Sequence, residues 1–269
     1  MLSRMRPLVA MFLILMIAAC AKVPITGRSQ LSLIPDSQMV SMAHQEYSNF
    51  LKANKVSTDQ AKTAQVKRVG GRIAAAVEKY FRDHGMAEEI KNYTWEFNLI
   101  ESKEKNAWCM PGGKVAVYTG ILPITQSDTG LAVVMGHEIA HAVAKHGSER
   151  MSQALLAEMG GVALSTALNQ EPDKTRNLWL SAYGVGVQVG ALLPFGRTQE
   201  SEADHLGLIF MAMAGYNPDE AVTFWQRMMA QSEGGAPPEF LSTHPSDKTR
   251  IQQLRTLLPE AHKYYQPAA

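Results

Sequence analysis

The 269-residue chain holds only two cysteines, Cys20 and Cys109. A disulfide framework of the kind that staples small secreted domains is excluded, so stability has to come from an apolar core or a bound metal. Charge is also sparse: Asp, Glu, Lys and Arg make up 19% of the residues and balance to +1. Nowhere do Lys and Arg gather into a patch that would bind nucleic acid or another polyanion. Internal repeats, low-complexity tracts and linker-like stretches that would mark off a second domain are missing. With 46% hydrophobic residues the chain is nevertheless rich enough to bury a sizeable core, which argues against wholesale disorder.

Long apolar runs number two. The first, "LVAMFLILMIAA" (8–19), follows the short basic segment "MLSRMRP". It falls well short of the ~20 residues a bilayer span needs and fits the apolar region of a secretory leader. It runs directly into "IAAC", an aliphatic residue, two small residues and Cys20. This resembles the bacterial lipobox, in which the cysteine becomes the lipidated first residue of the mature chain. The expected organisation is a signal peptide over 1–19, lipidated Cys20 and a tether over 20–35, and one domain over 36–269. The plainer alternatives are an ordinary leader cut nearby or a short core helix. Ala21, rather than Asp, after the cysteine resembles Gram-negative lipoproteins sorted to the outer membrane, which implies an envelope location facing the periplasm. Loss of residues 1–19 removes Arg4 and Arg6, leaving 24 basic against 25 acidic residues and a net charge of −1.

The second run, "LWLSAYGVGVQVGALLPF" (178–195), has 18 residues without a charge and places Gly186 and Gly190 at GxxxG spacing. Ser181, Tyr183, Gln188 and three glycines lower its hydrophobicity. A buried helix packed closely through its glycines is therefore favoured over a membrane span, with lipid contact left open.

Between these runs the pattern is mainly helical. Asp36 caps a helix to about Asn54, and Val66, Val69, Ile73, Val77, Tyr80 and Phe81 set a helical period over about 59–84. "YTWEFNLIE" (93–101) alternates like a strand, and "KVAVYTG" (114–120) follows the turn "MPGG", which predicts a small sheet of hairpin character. Asp128 opens the next helix, and Gly147 lies where that helix should stop. Further helices are expected at 148–170, 174–192, 197–214, 218–231 and 245–258. The fold class is α+β, mainly α-helical.

The chemistry concentrates in "VVMGHEIAHAVAKHG" (133–147). His137 and His141 stand at i and i+4, about 40° apart on a helix, so both rings can reach one ion. Unpaired imidazoles would be costly to bury among these apolar neighbours. Glu138, beside them, is placed to take a proton from an attacking water rather than to bind the ion. His146 is turned about 180° from His137 and reads as a helix C-terminal residue favoured by the dipole. A catalytic zinc site needs a third ligand and an open position. "RTQESEADHLG" (197–207) offers Glu200, Glu202 and Asp204. Glu200 and Asp204 share a helical face, while Glu202 points away. Glu200 is therefore the expected third ligand, with Asp204 accepting the free ring N–H of a ligand histidine.

"HEIAH", "RTQESEADHLGL", "LSTHPSDKTRI" (241–251) and "NAWCMPGGKVAVYTGIL" (106–122), in this chain order apart from the last, together resemble the zinc metallopeptidase family of the CaaX prenyl protease, HtpX, BepA and LoiP type. The likeness covers roughly residues 28–258. It implies a zincin-like metallopeptidase domain with a small β-sheet bordering the cleft and one zinc per chain. It further implies an endopeptidase acting on unfolded or misassembled envelope proteins. By the same likeness His244 is a histidine beside the zinc, which either steadies the oxyanion or fills the water position as a removable fourth ligand; a plain helix-start residue before Pro245 is the alternative. An extended polypeptide would pair with the strand edge at Asn106, Ala107 and Trp108, whose indole could line a subsite or sit in the core. Cys109 departs from the small or apolar residue expected in relatives; a thiolate masking zinc is weaker than an inert buried thiol.

Two other function classes use the same residues. "EIAH" and "EADH" are paired Glu-x-x-His segments, which with Glu46 and Glu78 could build a di-iron bundle, although the strand-like segment at 93–119 interrupts such an order. A lipid-anchored chaperone or assembly factor with little turnover would keep the fold and lose the hydrolysis.

Overall fold

The computed structural model describes residues 20–23, 26–169, 173–187, 193–231, 238–244 and 248–267. The expected leader over 1–19 lies outside them, as do Gln188, Gly190 and Pro245. In chain order the elements begin with a hairpin, β1 (Cys20–Lys22) and β2 (Ser29–Leu31), then α1 (Asp36–Ala53) and α2 (Gln60–Asp83). Strands β3 (Glu96–Ile100), β4 (Ala107–Met110) and β5 (Lys114–Tyr118) follow, then the short α3 (Leu122–Thr125) and α4 (Asp128–Val143). Next come α5 (His146–Ala167), α6 (Asp173–Val187), α7 (Leu193–Met213), α8 (Glu220–Ala230), the single-turn α9 (Glu239–Thr243) and α10 (Lys248–Tyr264). A mainly helical α+β fold with one small mixed sheet results.

Where the sequence reads one domain over 36–269, contacts divide the chain into two compact units, residues 1–36 with 145–198 and residues 37–144 with 199–269. The second unit is built around α4. Ser127 caps it by accepting the Gly130 N–H at 3.0 Å, and every residue from Gly130 to Val143 is buried. Helix α2, strand β4 and helix α8 all pack against it, so α4 has no solvent face and its sequence shows no amphipathic stripe. Burial at this density is what makes a polar triad inside the helix informative.

The sheet order is β3-β5-β4, with β5 in the middle. Strands β4 and β5 form the expected hairpin, turned by Gly112 and Gly113, whose φ values of 84° and 82° only glycine adopts freely. The hairpin expectation fails for β3, which runs parallel to β5 from Glu96↔Lys114 to Ile100↔Tyr118. Local alternation reports that a segment is extended, not which neighbour it takes. Strand β4 is left as an edge.

In the first unit, residues expected to form a tether instead pair as β1–β2, from Cys20↔Leu31 to Lys22↔Ser29. The hairpin and the chain after it are fastened to α5. Arg28 grips the buried Glu149 carboxylate bidentately at 2.8 and 2.7 Å, and Ser152 Oγ accepts the Leu33 N–H at 3.0 Å. The Tyr183 hydroxyl of α6 donates to the Ala157 carbonyl of α5 at 3.0 Å. The buried-helix expectation for 178–195 is not met where α6 is described, since Ser181, Ala182 and Gly184 are exposed. No helix of the described residues is long and apolar enough to cross a membrane.

His146 is also placed differently from expectation. Helix α4 stops at Val143 because Lys145 takes a left-handed conformation (φ 61°), so His146 opens α5 and is fully buried. Gly147, expected as the stop, lies inside α5.

Candidate metal centre

Two helices and one short turn build the site. Helix α4 brings His137 and His141 one turn apart on one face, with Nε2 atoms 3.1 Å from each other. Helix α7 brings Glu200, whose carboxylate oxygens lie 3.3 Å from His137 Nε2 and 3.3 Å from His141 Nε2. The close approach of the two helices is glycine on glycine. A Cβ at Gly207 would lie 3.0 Å from the Gly136 carbonyl carbon and 3.0 Å from the His137 backbone nitrogen. Such contact with backbone cannot be relieved by a side-chain rotation.

The third contribution is His244, at the C-terminus of α9. Its Nδ1 lies 3.1 Å from His137 Nε2 and 3.0 Å from both Glu200 oxygens. Phe240, fully buried on α9, carries it there by stacking on Trp225 with ring centroids 5.6 Å apart. Its backbone N–H donates to the Lys105 carbonyl, just before the edge strand, at 3.1 Å. One ligand atom from each of His137, His141, Glu200 and His244 falls within 4.8 Å of the others.

The donor chemistry fits a cation. Three ring nitrogens and a carboxylate face one another at 3.0–3.3 Å. His137 has its other nitrogen, Nδ1, directed at Asp204 Oδ1 at 3.0 Å, an arrangement that would keep the proton on Nδ1 and turn the Nε2 lone pair to an ion once one is bound. Tetrahedral zinc with bonds of ~2.0–2.1 Å separates its ligand atoms by about 3.3–3.4 Å, close to the spacing seen. Zinc is the cofactor of choice for this donor set.

Around the donors, charges are fixed rather than free. Burial by itself would raise the Glu200 carboxyl, but hydrogen bonds from His137, His141 and His244 outweigh it and hold Glu200 far below the usual carboxylate range. Asp204 behaves likewise, burial opposing and Arg250 with His137 prevailing, so its pKa is lowered. His137 is pushed up overall, with Asp204 and Glu200 overcoming the effect of its burial.

Arg250, on α10, is the site residue that sequence reasoning missed. It is 5% exposed, grips Asp204 through Nε at 2.8 Å and Nη2 at 2.7 Å, and approaches Glu200 Oε2 at 3.3 Å. Its Nη1 also donates to the His244 carbonyl at 3.3 Å, and the guanidinium lies 3.6 Å over the Trp225 ring. It lies within the segment "LSTHPSDKTRI", but no local spacing assigns it a role, because its acidic partner is 46 residues away.

Glu138 is buried beside the donors, with Oε1 3.3 Å from His244 Nε2. Asn106, Ala107 and Trp108 lie at and along the start of the edge strand β4. Trp108, half-buried, packs edge-on against Tyr47 and Phe50, at centroid distances of 5.8 and 4.7 Å, and donates to the Tyr118 hydroxyl. Burial and nearby Glu138 push the Cys109 thiol well above the ordinary range, and Cys109 is not among the four residues whose donor atoms converge. Cys20 belongs to the first unit.

The di-iron alternative does not survive. Among the described residues only the one cluster forms; Glu46 is exposed, Glu78 accepts from Trp95 Nε1 at 2.9 Å, and His205 pairs with Glu260 at 2.9 Å.

Comparison with known proteins agrees with the geometry. The sequence profile of peptidase family M48 matches residues 60–258. The chain belongs to peptidase family M48. The class of chemistry in this zinc metallopeptidase family is metal-dependent peptide-bond hydrolysis. The chain is 34% identical over 243 residues to the mitochondrial metalloendopeptidase OMA1 of Schizosaccharomyces pombe, covering 89% of this chain and 66% of that protein. Identity to human OMA1 is 30% over 246 residues, 89% of this chain and 46% of the relative. To the β-barrel assembly-enhancing protease of Yersinia pestis it is 30% over 165 residues, 60% of this chain and 34% of the relative. This M48 chain therefore spans between about a third and two thirds of the length of these relatives.

Proposed function

We propose that the chain is a lipid-anchored zinc endopeptidase that cuts unfolded or misassembled polypeptides of the bacterial envelope. In this reading residues 1–19 are removed, Cys20 carries the lipid, residues 20–35 lead from the anchor, and 36–269 hold the peptidase at the outer membrane, facing the periplasm. The observation that carries the hydrolytic part is the convergence of His137, His141, Glu200 and His244 with Glu138 beside them. The lipobox carries the anchor. A relative named for β-barrel assembly supports an envelope client, although the relatives named OMA1 are named as mitochondrial.

His137, His141 and Glu200 would hold the ion, Asp204 orienting His137 through Nδ1. When bound, zinc supplies Lewis acidity, polarising a scissile carbonyl and easing deprotonation of water. Glu138 takes the proton of the attacking water and returns it to the leaving amine. His244 holds the corner at which water or carbonyl has to enter, so it has to move aside before turnover. Displaced, its ring becomes available to donate to the oxyanion. The open edge of β4 offers backbone hydrogen bonds to an extended chain whatever its side chains, which favours unfolded substrates.

One observation favours the second reading, an assembly factor with little turnover: the fourth donor position is filled by His244. Cleavage of an unfolded protein such as casein by wild type and by Glu138→Gln, both zinc-loaded, separates them. Cleavage lost in the variant supports the peptidase. Equal cleavage by both defeats the role of Glu138, and no cleavage by either leaves the assembly reading standing.

A further inference from the structure

We infer that one face of α5 lies on the lipid bilayer. Among the described residues six large hydrophobic side chains stand exposed, and four of them share this helix: Met151 at 40%, Leu155 at 41%, Met159 at 57% and Val162 at 62%. Their spacings of four, four and three residues put them along one side of the helix. Ala154 and Ala163 are exposed in the same stripe, which contains one charge, Glu158. The stripe from 151 to 162 is about 16 Å long at ~1.5 Å per residue. The other two exposed hydrophobics, Met42 and Val56, stand singly and are ordinary for a protein surface. A continuous stripe is not; it marks a surface that something covers.

Where the chain enters the unit identifies the covering surface. Cys20 opens β1, β1 pairs with β2, and the Arg28–Glu149 and Leu33–Ser152 bonds fix that segment to α5. The residue that would carry lipid and the apolar stripe are thus parts of one compact unit. The inference rests on the reading of Cys20 as lipidated. A lipid anchor raises the local concentration of the stripe at the membrane, so a helix too weakly apolar to bind alone docks once tethered. Apolar residues on one side, few charges among them and an adjacent anchor are the features of a helix lying in the interface plane. The bilayer contact is then made by α5 itself, which does not cross.

The test uses the full chain, expressed so that it is processed, with Cys109→Ser and a single reporter cysteine. The reporter is Met159→Cys on the stripe or, as control, Glu88→Cys on an exposed turn far along the sequence. Each protein is labelled with the environment-sensitive dye NBD and reconstituted in phosphatidylethanolamine–phosphatidylglycerol vesicles, with and without brominated acyl chains. Intact mass reports acylation of Cys20. The expected result is blue-shifted emission at 159 that brominated lipid quenches, with the control unshifted and unquenched. Acylated protein whose 159 reporter behaves like the control overturns the inference and leaves the anchor standing. A blue shift at 159 that persists in detergent and ignores brominated lipid also overturns it, by showing that protein covers the stripe. An unacylated Cys20 overturns the anchor reading, and the inference with it.

Discussion

Arg250→Ala tests how far the metal centre depends on groups that touch no metal. Arg250 and Asp204 are both buried, 5% and 6% exposed, and two hydrogen bonds of 2.7 and 2.8 Å join them. Removing the guanidinium leaves the Asp204 carboxylate in the interior with His137 Nδ1 as its remaining polar neighbour in the site, and opens a void against Trp225. Breaking a buried ion pair by deleting one partner costs roughly 3–5 kcal/mol. At about 2–4 °C per kcal/mol for a protein of this size, the melting temperature should fall by about 6–20 °C. Zinc affinity should fall about 10- to 100-fold, because Asp204 sets the orientation of His137. Arg250→Lys keeps a charge but neither the bidentate fork nor the stacked plane, and should recover only part of either loss. Thermal or urea unfolding of zinc-loaded and chelated protein, with competition titration against a zinc dye, measures both. A loss under about 1 kcal/mol with unchanged zinc affinity would refute the argument. So would simple additivity of Arg250→Ala with Asp204→Asn, since residues in direct contact couple by about 0.5–3 kcal/mol.

Three further outcomes follow from the geometry. Glu200→Gln should lose zinc by elemental analysis, whereas Glu202→Gln, buried away from the donor cluster, should retain it; the reverse pattern would reassign the third ligand. Gly207→Ala forces a methyl against the Gly136 carbonyl carbon and the His137 backbone, so it should cost about 1–3 kcal/mol and weaken zinc binding; a neutral outcome contradicts the close helix crossing. Tyr47 is buried with its hydroxyl donating to the Val115 carbonyl at 2.8 Å, and burial raises its pKa above the ordinary 10 despite the opposing hydrogen bond from Asn98. The folded state thus holds this proton more tightly, so its contribution is whole below about pH 10 and declines as pH rises beyond it. Urea unfolding of wild type and Tyr47→Phe across pH 8–11 should converge at the alkaline end, and parallel curves would sink that assignment.

Legibility in the sequence followed the range of the interactions. Helices α1 and α2 match their expected limits within a residue or two, because capping by Asp59 and apolar spacing act over a few positions. The i,i+4 histidines were visible for the same reason. What misled was local ambiguity resolved at a distance. Gly147 looks like a helix stop, yet the chain turns at Lys145 and resumes as α5, with His146 as its first residue. Alternation in β3 is genuine, but its partner β5 runs parallel and lies beyond β4 in sequence. The packing of Trp108 against Tyr47 and Phe50, on a helix about sixty residues earlier, was likewise beyond any local pattern.

By itself the sequence determined the chemistry on offer: two imidazoles and an acid on one apolar helix, acids one turn apart on another, and a histidine before a proline. Those features depend on helical periodicity and donor type, which are properties of short segments. Only the tertiary structure decided that His244 sits on the donors with Glu138 behind it, and that Arg250 clamps Asp204. It also decided that two glycines let α4 and α7 approach closely enough to bring Glu200 to the histidines. The reason is physical: which buried charge faces which is fixed by how whole helices pack, and packing depends on residues far apart along the chain.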